Sequence, residues 1–310
     1  MDTPVLSVVL VIGKMRQRGE RSLKAILEQK TEGPIEVLVV DTTPENPRIR
    51  GGEASNVVYL EYPDAPSFAD TKLFAFFRMS ADRVAFVEDH TFVEPGWANG
   101  VLKGFETGAE VVVYTFHDAT PESVWSRAFG LLAYGRWMSE RLAGERQHGP
   151  GNNVAYRKDA LLRQGDRLED LMHVELFLHW TLREQGGTVY QEATARAGHA
   201  SWDNLRGTLW DTCMCSRLFA HQRRILEKPS LLKRLFYAGT MPLLPALLFW
   251  RYCRALKGDP DLLRRYLLHS PVILFLVFCT GISEAIGYLD SSPRYRRQLD
   301  TEVNMRRACD

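Results

Sequence analysis

The sequence predicts an α/β fold, and three observations carry the prediction. First, an apolar run at residues 5–12 is followed by Gly13, by Leu23, Ile26 and Leu27 at helical spacing, and by a second apolar run ending in Asp41. That order is a strand–helix–strand unit, which pairs its strands in parallel. Second, further apolar runs at 57–60, 83–87 and 111–115 alternate with a helical segment at 67–79, as layered α/β domains do. Third, the run at 84–87 stops abruptly at Glu88-Asp89-His90, ahead of Pro95-Gly96-Trp97. Open α/β sheets bind ligands at the carboxyl ends of their strands, so these acid and imidazole groups are candidate metal ligands, and Asp41 stands at another strand end.

Length and composition narrow the function classes. A chain of 310 residues with 45% hydrophobic and 25% charged residues buries one large core or two modest ones. The formal net charge of +1 gives no nucleic-acid signature, because polyanion binders concentrate a basic excess on one face. Cys213, Cys215, Cys253, Cys279 and Cys309 are odd in number and lack paired spacing, which points to free thiols in a reducing compartment. The early strand leaves no room for a basic region and cleavage site, so the first domain is expected in the cytoplasm.

Glu88-Asp89-His90 before Pro95-Gly96-Trp97 resembles the acidic metal motif of family 2 glycosyltransferases, enzymes of the GT-A fold, in which a strand of the type F-L-D-x-D leads through a turn into P-G-W. The resemblance implies a Rossmann-like mixed sheet flanked by helices. It implies that Glu88 and His90, with Asp89 beside them, hold Mn2+ or Mg2+ on the diphosphate of a nucleotide sugar. A hard cation there neutralises the charge left when the sugar–phosphate bond breaks. Imidazole at the third position departs from the commonest pattern.

The remaining motifs follow in order. Val39-Val40-Asp41-Thr42-Thr43 stands where the family has V-V-D-D-G-S, which makes Asp41 the residue that contacts the nucleotide base, without the second acid. Lys72 falls near a basic residue that the family uses beside the donor. The stretch from Gly149 through Asn152 and Asn153 to Leu161 resembles G-x-N-x-A-x-R-x-x-A-L. By that resemblance the loop faces the acceptor side of the cleft and places Asn152 and Asn153 among the sugar-binding residues, since amides donate to and accept from hydroxyls. Residues 168–186 read as one amphipathic helix closed by Gly186. In the family this helix carries the catalytic base, and counting back from the glycine selects Glu175; Asp170, in the literal Glu169-Asp170 pair, is the second candidate. A strand at 187–191 follows. The segment around His199 resembles the family's late histidine segment, implying a further metal or diphosphate ligand.

After Trp202 the pattern turns helical and basic. Two apolar stretches, 235–252 and 266–289, are separated by Arg251, Arg254, Lys257, Arg264 and Arg265, and followed by Arg294, Arg296 and Arg297. Basic connections prefer the cytoplasmic side, and Pro242 and Pro245 make the first stretch a poor span. The expectation is monotopic or re-entrant helices on the cytoplasmic face of the plasma membrane, in contact with membrane lipids. The domains read as 1–205, a GT-A unit; 206–234, a basic linker helix; 235–290, apolar membrane-associated helices; and 291–310, a polar tail.

The resemblance implies an inverting transferase moving sugar from a nucleotide-sugar donor to a lipid-linked or glycan acceptor, in cell-envelope synthesis. A non-catalytic scaffold of a polysaccharide assembly complex is the alternative suggested by the altered D-x-D and E-D motifs. A nucleotidyl- or sugar-phosphate-transferring enzyme lacks support, because no Gly-rich phosphate loop follows the first strand.

Overall fold

The computed structural model describes residues 3–290; Arg294, Arg296, Arg297, Cys309 and the rest of the expected tail lie outside them. The described chain runs β1 (Leu6–Ile12), α1 (Arg16–Leu27), β2 (Ile35–Asp41), β3 (Val57–Glu61), α2 (Phe68–Phe76), β4 (Arg83–Glu88), β5 (Thr91–Val93), α3 (Trp97–Glu106), β6 (Val111–Asp118) and α4 (Val124–Tyr134). It continues through β7 (Gly144–Arg146), β8 (Val154–Arg157), α5 (Lys158–Leu162), α6 (Leu168–Met172), α7 (Glu175–Glu184) and β9 (Val189–His199). The C-terminal helices are α8 (Leu205–Glu227), α9 (Leu231–Thr240), α10 (Leu244–Ala255), α11 (Pro260–Leu268) and α12 (Ser270–Leu289).

The strands form one mixed sheet in the order β3-β2-β1-β4-β8-β6-β9-β5, with β7 paired to β9. From β3 to β4 the ladder is parallel. All seven residues of β1 are buried, and its sequence is apolar at every position but Ser7 instead of alternating. The chain goes from β1 to β2 on one side and returns to place β4 on the other, so strand order reverses at β1. Such a switch point opens a crevice at the carboxyl ends. Register fixes what stands there: Ile12 pairs with Asp41 and Val11 with Glu88.

Two elements differ from the sequence reading. The helix expected over 168–186 is broken, because Val174 is extended at φ −143°, ψ 94°, a conformation that suits a β-branched residue. The break makes Glu175 the first residue of α7, where the helix dipole favours a carboxylate. The strand expected at 187–191 runs on to His199. Ala195, Ala197 and Gly198 weaken its strand signal but let α3 approach closely: a Cβ on Gly100 would lie 2.5 Å from the Ala195 nitrogen. β5 then pairs antiparallel with β9, setting Thr91 opposite His199.

The described residues divide into two compact units, 3–117 with 143–199, and 118–142 with 200–290. The first holds the sheet. In the second, α4 joins the C-terminal helices around Phe129, Leu131, Leu262, Tyr266, Ile273 and Leu276. Tyr252 and Tyr266 stack there with ring planes 2° apart. The apolar stretch 235–252 is divided between α9 and α10 by a tight turn at Met241–Leu243, and Pro245 sits in the first turn of α10, where its missing N–H costs nothing. One helix among the described residues, α12, is long and apolar enough to cross a membrane by length and composition, with mean hydropathy 2.0.

Candidate metal centre and its neighbours

Glu88 ends β4, His90 lies in the turn into β5, and the β5–β9 ladder returns His199 to the same place. Their ligand atoms lie within 4.8 Å of one another, and the three residues are 5%, 3% and 3% exposed. Nε2 of His90 and Nε2 of His199 stand 3.6 and 3.7 Å from Oε2 of Glu88, too far for good hydrogen bonds. Three donors each about 2.1 Å from one ion would lie about 3.4 Å apart in a tetrahedral arrangement, so the cluster fits a cation with little movement. One carboxylate and two imidazoles suit Mn2+ better than Mg2+, which prefers oxygen donors and bound water.

Asp89 orients the ring of His90. Its Oδ1 lies 3.0 Å from His90 Nδ1, and its Oδ2 accepts from the Gly13 N–H at 3.2 Å. A carboxylate only accepts, so Nδ1 carries the proton and Nε2 presents its lone pair toward Glu88. Gly13, Met15, Thr42 and Phe68 line the same cleft as Glu88, Asp89 and His90.

Glu88 is clamped by the loop before β8. Asn153 Nδ2 donates to Oε2 at 2.5 Å while Asn153 Oδ1 accepts from the Glu88 N–H at 3.0 Å, and Asn152 Nδ2 donates to Oε1 at 3.0 Å. Asn152 Oδ1 accepts from Lys72 Nζ at 3.0 Å. Lys72, 1% exposed on α2, also ion-pairs with Oε1 of Glu175 and packs over the Phe68 ring. Lys72, expected from the sequence beside the donor, is thus the buried counter-charge of the candidate base. Glu175 Oε1 accepts in addition from the Asn152 N–H at 3.2 Å. Asp170 sits half-buried on the separate helix α6.

Asp41 is enclosed. Arg16 forks onto both its oxygens at 2.8 and 2.7 Å, Tyr59 donates its hydroxyl at 2.6 Å, and the Thr43 N–H donates at 2.9 Å. These four bonds occupy the four acceptor positions of a carboxylate. Burial works against its charge, but the bonds from Arg16, Tyr59 and Thr43 prevail and hold Asp41 below the ordinary carboxyl range. The Tyr59 hydroxyl is pushed up to about 12 by burial and by the neighbouring Asp41.

Arg16, Tyr59 and His179 escaped the sequence reading. His179 lies one turn after Glu175 on α7, so the i, i+4 spacing was the available signal. It is 0% exposed. The Gly149 N–H donates to its Nδ1 at 3.1 Å, which leaves the ring proton on Nε2 for the Tyr156 oxygen at 2.8 Å. Burial first, and then the positive fields of His148 and Lys72, hold its pKa down at about 3.

The sheet order, the cleft at the switch point and the ligand cluster together define a class: the chain has the GT-A glycosyltransferase fold. A similar solved structure is GalNAc-T7 with UDP, GalNAc and Mn2+, at TM-score 0.51 and 11% identity over 66% of this chain and 44% of that one. At that identity the likeness is one of fold, and the chain spans less than half the length of its neighbour. No protein-family model matches the sequence, and no curated protein does.

Proposed function

We propose that this chain is a metal-dependent, inverting glycosyltransferase of the family 2 type that moves a sugar from a nucleotide-diphosphate donor to a hydroxyl acceptor. The convergence of Glu88, His90 and His199 at the switch point of a GT-A fold carries the reading. A bound Mn2+ would offset the charge developing on the departing diphosphate. Asp89 keeps His90 in the ligating tautomer, and Asp41 serves the nucleotide by fixing Arg16 and the backbone of Thr43.

Glu175 takes the acceptor proton. Its Oε1 is held by Lys72 and the Asn152 N–H, while Oε2 faces exposed Gly151, where a Cβ would stand 3.0 Å away. With no side chain at 151, that is the side from which an acceptor hydroxyl would approach the buried Oε2. Removing its proton as the oxygen attacks opposite the diphosphate inverts the anomeric centre.

The acceptor is a lipid-linked or glycan hydroxyl in cell-envelope synthesis, and the C-terminal helices lie on the cytoplasmic face of the plasma membrane. Three features support this placement. α9 and α10 bury no residue. Leu274, Phe275, Phe278, Ile282, Ile286 and Leu289 are exposed along the full length of α12, and Lys233, Arg251, Arg254 and Arg264 are exposed nearby in sequence. α12 packs closely on α8, with Gly287 against Ala220 and Arg217. α8 carries Arg206, Asp211, Arg217 and Arg223, too much charge to accompany a span, so an in-plane arrangement suits the pair.

The test is a screen of purified protein against nucleotide sugars with Mn2+ or Mg2+, reading released nucleoside diphosphate in the wild type and Glu88→Gln. Release that depends on Mn2+ and disappears in Glu88→Gln supports the transferase. Metal-dependent nucleotide binding without release by any donor replaces it with a non-catalytic scaffold.

A further inference from the structure

We infer that Asn152 is a positioning residue that locks the metal-facing carboxylate of Glu88 and the Lys72–Glu175 pair into one unit, so that cation binding depends on its side-chain amide. The inference rests on the reading of Glu88, His90 and His199 as a metal centre.

Two independent observations lead to it. The first is backbone strain: Asn152 has φ +68°, and the Asn153 N–H donates to the Gly151 carbonyl at 2.9 Å, closing a three-residue turn around it. A turn of this kind with positive φ is rare and strained, and glycine is the residue that enters it without steric penalty. The chain has glycine at 149 and 151 and asparagine at the strained position. Among the described residues, one other non-glycine, Lys228, has positive φ. Strain of this sort persists where the surroundings over-determine it, and it clusters at functional sites.

The second observation is what the strained residue reaches. Its Nδ2 donates to Glu88 Oε1, its Oδ1 accepts from Lys72 Nζ, and its N–H donates to Glu175 Oε1. Three ionisable side chains from β4, α2 and α7 therefore meet on one peptide unit and one amide. Asn153 already holds Oε2 of Glu88, the oxygen nearest both imidazoles. Asn152 holds the other oxygen, and the two together fix the plane of the carboxylate. Without Nδ2 the carboxylate rotates about Asn153, and Lys72 loses a partner on the side facing Glu88. A ligand oriented by such outer hydrogen bonds typically loses about 10–100-fold in metal affinity when they are removed.

The experiment compares Asn152→Gly and Asn152→Ala with wild type, using Mn2+ titration by calorimetry and metal-free thermal melts on the full chain. Asn152→Gly relieves the turn and deletes the amide; Asn152→Ala deletes the amide and keeps the strain. The expected result is a Mn2+ Kd raised about 10–100-fold in both variants, with a lower melting temperature in Asn152→Ala than in Asn152→Gly. Wild-type Mn2+ affinity in folded Asn152→Gly overturns the inference and leaves the metal centre standing. Failure of the wild type itself to bind Mn2+ overturns the metal centre and the inference with it.

Discussion

Replacing Glu175 by Gln separates the catalytic duty of this carboxylate from its structural one. Lys72 is 1% and Glu175 3% exposed, so water cannot take over the ammonium when its counter-charge disappears. The partners left to Lys72 are neutral: the Asn152 oxygen at 3.0 Å, the Met172 carbonyl at 3.4 Å and the Phe68 ring. Removing one member of a buried pair costs about 3–5 kcal/mol, most of it the stranded charge. For a domain of this size that lowers the melting temperature by on the order of 10 °C. A double variant, Lys72→Met with Glu175→Gln, removes the stranded charge and should recover most of the loss. Transfer should fall at least about 100-fold in Glu175→Gln, the scale of a general base, and should not return in the double variant. Urea melts and nucleoside diphosphate release measure the two quantities on the same samples. A Glu175→Gln protein within about 1 kcal/mol of wild type would refute the stranded-charge reasoning, and restored transfer in the double variant would remove Glu175 as the base.

His179 makes stability pH-dependent: its folded pKa of about 3 lies below the unfolded 6.5, so its contribution is complete above 6.5 and is lost as pH falls from there toward 3. The loss is about 1.4 kcal/mol per unit, or about 2 kcal/mol between pH 6.5 and 5, and urea melts of His179→Gln should show a slope flatter by that amount; an unchanged slope counts against a buried neutral ring. Mn2+ should bind at least about ten times more tightly than Mg2+, and His90→Ala and His199→Ala should each weaken Mn2+ by a similar factor; calorimetry showing Mg2+ preferred would contradict the two-imidazole donor set. In flotation with anionic liposomes the protein should stay with the lipid in high salt, and Phe278→Ser combined with Ile282→Ser should release it; equal flotation of both proteins excludes the exposed face of α12 as the contact.

Much of the fold was legible because strands buried on both faces must be mostly apolar, and that constraint is written locally in residues 5–12, 35–41 and 83–87, where Ser7, Glu36, Asp41 and Arg83 are the polar exceptions. The end of β4 was legible for the same reason, since polar side chains cannot follow such a run unless the strand has reached an edge or a cleft. Glu88, Asp89 and His90 stand next to one another, so a single glance along the chain finds them. Other features depend on contacts that no local pattern carries. His199 reaches Glu88 only because β9 continues past its apolar start and pairs with β5. Lys72 looks like an ordinary helical lysine until α2 and α7 bring it against Glu175. Asp41 was legible as a strand-end acid, but its enclosure depends on Arg16 from α1 and Tyr59 from β3. Residues 168–186 have a helical period throughout, and the tertiary fold sets the break at Val174. Sequence alone determined the strands β1 to β4, β6 and the start of β9, and where the first candidate ligands lie, because burial acts on each residue separately; the short strands β5, β7 and β8 escaped it. The tertiary structure decided which charges are paired and brought His199 to Glu88 and His90, because ion pairing and ligation require atoms within a few ångströms, a distance that chain spacing does not set.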